Sequence, residues 1–166
     1  MTKKNINVLF VLLTFFFSCS TQEKYKNGMV VSAKAEASKA GISILKQGGN
    51  AFDAMIATDL ALAVVYPNAG NLGGGGFMVF RLSNDSIGSL DYREKSPSKS
   101  TKNMYLDENE TEIKGLSTYG GLAVGIPGTI AGLFETYEKF GSLPLSTLFK
   151  PAIDLAEKGF LLSEQQ

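Results

Sequence analysis

Along the chain the spacing of apolar residues changes several times, and each change marks an element. From Ile6 to Phe17 the run is almost wholly apolar, and Lys3 and Lys4 precede it. It falls short of the about 20 apolar residues of a membrane-spanning helix and has the layout of a secretory signal. Thr21 to Asn27 is polar and reads as a tether. Met29-Val30-Val31 predicts a short strand. Ala37, Ala40, Gly41, Ile44 and Leu45 then recur at helical spacing, so one helix face is buried, and Gly48-Gly49 stops the helix. Asn50 with Asp53 three residues on approximates a capping box. From Ala51 to Val65 the pattern is apolar nearly all round, as in a helix inside a layer, and Pro67 closes it.

Phe77 to Leu82 is apolar on both faces, which predicts a strand covered on both sides. Asn84-Asp85-Ser86 is turn chemistry, and Ile87 to Arg93 is the return strand of an antiparallel hairpin. Glu94 to Lys114 is polar and loop-like. Gly125-Ile126-Pro127-Gly128 introduces a helix over about Thr129–Phe140, stopped by Gly141; a last helix over Pro144–Lys158 ends at Gly159. The order of strand, two helices, hairpin, loop and two helices predicts an α+β layered domain, without repeat or interdomain linker.

Composition narrows the chemistry. The 166 residues suffice for one domain, with 16 acidic and 16 basic side chains, so no field of one sign favours nucleic acid. There is no His and one cysteine, Cys19, which excludes an intramolecular disulfide and a zinc site of the usual ligands. Cys19 follows Ser18 at the end of the apolar run. That placement resembles a bacterial lipoprotein processing site, with Cys19 as the lipidated first residue of the mature chain, and is favoured over a plain secretory signal. The domain reading is therefore 1–19 signal peptide of lipoprotein type, 20–27 tether, and 28–166 the folded region.

The residues alone present no catalytic centre. Gly73 to Gly76 lacks the Lys and Ser or Thr of a phosphate loop, and a helix precedes it where a dinucleotide fingerprint needs a strand. It reads as a turn in which backbones pack closely. Arg93, in Asp91-Tyr92-Arg93-Glu94, could hold a carboxylate in two parallel hydrogen bonds or pair with Asp91 or Glu94. Asp53 reads as a cap, and Asp59 as a carboxylate bonded to nearby backbone.

Several segments together resemble the γ-glutamyltransferase (γ-glutamyltranspeptidase, glutathione hydrolase) family. They are Gly28 to Ser32, Ile44 to Ala54, Pro67 to Met78, Asp91-Tyr92-Arg93-Glu94, and Gly125 to Thr129. The resemblance implies an N-terminal-nucleophile hydrolase fold, an αββα sandwich of which this chain is a large-subunit portion. It implies a self-cleaving precursor whose small subunit brings a threonine nucleophile that these residues do not include, so that the fragment alone is inactive. That threonine attacks γ-glutamyl amides and passes the glutamyl group to water or an amino acid. Arg93 takes the place of the arginine that grips the donor α-carboxylate. The expected partners are glutathione or other γ-glutamyl compounds, the small subunit, and a membrane through a lipid anchor, without nucleic acid, metal or other cofactor. The expected location is the periplasm or cell envelope. The alternatives are an acylase or poly-γ-glutamate-processing enzyme of the same fold, and a non-catalytic lipid-anchored remnant.

Overall fold

The computed structural model describes residues 28–70 and 72–164. The signal segment, Cys19 and the tether lie outside the described residues. Among the described residues four α-helices, one hairpin and a short 3-10 turn, Gly121–Ala123, make a mixed α/β fragment.

Helix α1, Ala35–Lys46, buries the face predicted from spacing: Ala37, Ala40, Gly41 and Ile44. It ends in paired bonds from the Gly48 amide to the Leu45 carbonyl and from the Gly49 amide to the Ile44 carbonyl. Gly48 takes φ +90°, where a side chain would strain the backbone.

Helix α2, Ala51–Val65, buries residues all round because helices pack on several of its sides. Its N-terminus carries the predicted capping box in full. The Asn50 side chain accepts from the amides of Phe52 and Asp53, at 2.8 and 3.0 Å, and the Asn50 amide donates to Asp53 at 2.9 Å.

Helices α3, Thr129–Phe140, and α4, Leu145–Lys158, also pack on α2. One core cluster joins Ile44, Ile56, Leu60, Leu133 and Leu148; another joins Ala37, Ala40, Ala61 and Val65. Each methylene so buried stabilises by about 0.8 kcal/mol.

Strands β1, Phe77–Arg81, and β2, Ile87–Asp91, pair antiparallel with Met78 opposite Leu90 and Phe80 opposite Gly88. Met78 is buried, and Phe80 packs in a trio of rings with Phe52 and Phe140, at centroid distances of 5.5 and 4.9 Å. That trio docks the hairpin on the helices.

Three expectations need correction. Met29 to Val31 is no strand, since no described strand pairs with it. β1 is covered on one side only: Phe77 and Val79 are 64% and 79% exposed, because the alternate face meets no described element. The return strand ends at Asp91 rather than Arg93, where the chain turns into the polar loop.

Candidate functional site

The hairpin leads straight into the segment that carries Arg93. Past Asp91 the backbone keeps two further bonds, from the Tyr92 amide to the Gly76 carbonyl at 3.0 Å and from the Gly76 amide to the Tyr92 carbonyl at 3.4 Å. On the other side Lys95 and Ile126 form a reciprocal bridge, at 3.1 and 2.7 Å. The Gly74 carbonyl accepts from the amides of Gly128 and Thr129, at 2.9 and 3.0 Å. Residues 92–95 are thus strapped between the glycine run and the start of α3. Glycines suit this crossing: a Cβ on Gly75 would stand 2.8 Å from the Glu94 nitrogen. The glycine run is therefore a close-packing turn, as its sequence context indicated.

Arg93 lies on the wall of a groove of about 290 Å³ between the end of β2 and the first turns of α3. Its Nε donates to Glu94 Oε2 at 3.0 Å, and its guanidinium carbon sits 5.6 Å from the Phe77 ring centroid. Asp91 does not pair with the guanidinium; its carboxylate accepts from the Arg93 backbone amide at 3.0 Å. The two terminal nitrogens of Arg93 bond to no described residue. The side chain, 60% exposed, thus presents a pair of parallel donors, the geometry that holds a carboxylate. An exposed pair with Glu94 contributes little to stability. The Glu94 carboxyl is held below its ordinary value by its own backbone amide first and then by Arg93.

The two aspartates of α2 have separate surroundings. Asp53 is fully buried. Burial alone would raise its pKa; the Ser142 hydroxyl and the amides of Ser142, Asn50 and Leu143 outweigh that and hold it below the ordinary 3.8. It is a structural cap. Asp59 departs from expectation, because its carboxylate accepts no hydrogen bond from a described residue. It lines a second, larger cavity, of about 700 Å³, with Val30, Met55, Leu62 and Tyr92. Burial raises the Asp59 pKa, and burial together with the Asp59 charge raises that of Tyr92.

Tyr92, which walls both cavities, was not singled out by sequence reasoning. Its position between an aspartate and the arginine was the only available signal. Among the described residues no group of three or more His, Cys, Asp or Glu could hold a metal ion.

Comparison with known proteins decides the family. Residues 37–166 match the family model described as Gamma-glutamyltranspeptidase. The chain belongs to the gamma-glutamyltranspeptidase family. It is 54% identical over 139 residues to a glutathione hydrolase proenzyme of Pseudomonas sp. strain A14, a match covering 84% of this chain and 24% of that protein. Its fold is similar to that of Helicobacter pylori gamma-glutamyltranspeptidase, at TM-score 0.80 and 49% identity over 85% of this chain and 40% of the other. It is also similar to a cephalosporin acylase from Bacillus halodurans, at TM-score 0.73 and 32% identity over 84% and 26%. The chain thus spans about a quarter of the length of the curated family members it matches.

Proposed function

We propose that residues 28–166 form the N-terminal part of the large subunit of a glutathione hydrolase precursor. Its complete fold is the αββα sandwich of the N-terminal-nucleophile hydrolases. The free donor pair of Arg93, at the groove between β2 and α3, carries this reading.

In this reading Arg93 binds the α-carboxylate of a γ-glutamyl donor such as glutathione. A threonine at the head of the small subunit, made from the same precursor, supplies the nucleophile. Its hydroxyl oxygen attacks the γ-amide carbon while its own α-amino group takes the proton. The amine departs with that proton and leaves a glutamyl ester, which water or an acceptor amine then cleaves. Arg93 fixes the carboxylate end of the donor, so that binding energy at one end orients the amide at the other. Cys19 carries the lipid that tethers the protein to the cell envelope. A second reading, an acylase of the same fold, draws on the similarity to the cephalosporin acylase.

The test joins residues 28–166 to the remaining part of the 54%-identical Pseudomonas enzyme. The chimera is expected to cleave itself and to hydrolyse L-γ-glutamyl-p-nitroanilide. Arg93→Ala should raise KM by about 10- to 100-fold, as loss of a hydrogen-bonded charge contact of about 1.5–3 kcal/mol requires. A chimera that is not processed, or one that cleaves acyl amides without an α-carboxylate equally well, overturns the proposal.

A further inference from the structure

We propose that Gly132, on α3, is a positioning residue for Arg93, acting through the Tyr92 ring that it admits. This rests on the reading of Arg93 as the clamp for the donor carboxylate.

Tyr92 immediately precedes Arg93, and its ring is held on two sides by glycines. A Cβ on Gly76 would stand 2.9 Å from Tyr92 Cε2 and 3.1 Å from its hydroxyl oxygen. A Cβ on Gly132 would stand 2.6 Å from Cδ2 and 2.7 Å from the Tyr92 Cβ, closer than such atoms approach. The obstruction is at the root of the side chain, beside the backbone, so rotation of the ring cannot relieve it. The Thr136 hydroxyl donates to the Gly132 carbonyl at 2.8 Å, and Gly132 and Thr136 are both buried, so α3 cannot easily yield either. The strain of a side chain at 132 therefore passes to the Tyr92 backbone, and Arg93 is the next residue. Arg93 itself is tied to its surroundings mainly through this backbone, its side chain being exposed apart from Glu94 and Phe77. A shift of about 1 Å at such a clamp is large on the scale at which oriented binding works.

The test uses the chimeric enzyme with L-γ-glutamyl-p-nitroanilide as donor. Two inhibitors are compared: L-glutamate, which has the α-carboxylate, and 4-aminobutyrate, which lacks it. Gly132→Ala is expected to raise KM and the L-glutamate inhibition constant about tenfold, with kcat within about twofold and 4-aminobutyrate binding unchanged. Tyr92→Leu, which leaves Gly132 in place and removes the held ring, is expected to do the same, so that a folding failure of Gly132→Ala leaves the proposal open to refutation. Arg93→Ala with an unchanged L-glutamate constant overturns the reading of Arg93. A large effect of Arg93→Ala beside equal loss for both inhibitors in Gly132→Ala and Tyr92→Leu, or beside none, overturns the positioning role alone.

Discussion

The Ser142 amide donates to Asp53 Oδ1 at 3.0 Å across 89 positions of sequence, and the Ser142 hydroxyl donates to the other carboxylate oxygen. One side chain thus caps α2 and anchors the turn that joins α3 to α4. The nearby Asn50 Nδ2 donates to the Phe140 carbonyl at 2.7 Å and reinforces the same junction.

Asp53→Ala takes the acceptor from the Asn50 amide and from the Ser142 amide and hydroxyl, and is expected to cost about 1–2 kcal/mol in urea unfolding of the full chain. The Asp53 pKa is lowered in the fold. Its contribution is therefore present above the ordinary 3.8 and is lost as pH falls through the folded value. Asp53→Asn should flatten this acid limb of the stability profile; an unchanged limb refutes the assignment.

Asp59 has the opposite sign. Its pKa is raised by burial, so the unfolded chain ionises first as pH rises past 3.8, and stability is lost over the interval up to the folded value. Asp59→Asn should raise the melting temperature at pH 7, with the gain vanishing below 3.8. Thermal scans of both proteins at several pH values check this.

Gly41→Val tests the crossing of α1 and α2. A Cβ at 41 would meet Val30 Cγ1 at 2.9 Å and the Ala54 carbonyl oxygen at 3.1 Å. Overpacking of this kind costs about 1–3 kcal/mol, read as a lower urea midpoint with little change in slope.

Cys19→Ser tests the proposed anchor. With Cys19 lipidated, the intact protein expressed in a bacterium partitions into detergent, and the Cys19→Ser protein moves to the aqueous phase. Equal partition of the two removes the lipoprotein reading.

Helices were the most legible elements, because each carries its own periodicity and its own stops. The spacing from Ala37 to Leu45, the Asn50 and Asp53 box, and the glycines at 48, 141 and 159 locate ends that the structure reproduces within about two residues. The hairpin was legible for the same local reason. The Met29 strand was misjudged because a strand exists only with a partner, and apolar character cannot supply one. The double covering of β1 failed likewise: alternation tells which faces are apolar, while neighbours elsewhere in the fold decide which are covered.

The candidate site divides the same way. Arg93 could be singled out because a guanidinium can hold a carboxylate in two parallel hydrogen bonds, and the family resemblance gave that chemistry a role. The choice between Asp91 and Glu94 as its neighbour was not legible, since it depends on the turn after β2.

The sequence by itself determined the family, the helix limits, the capping box and the hairpin, because these rest on residues within a few positions of one another or on motifs in fixed order. Only the tertiary structure decided that Ser142 completes the Asp53 cap, that Asp59 faces a cavity with Tyr92, and that glycines from two separate segments close on Tyr92. Those relations join positions tens of residues apart, and their register is set by how α2, α3 and the hairpin pack.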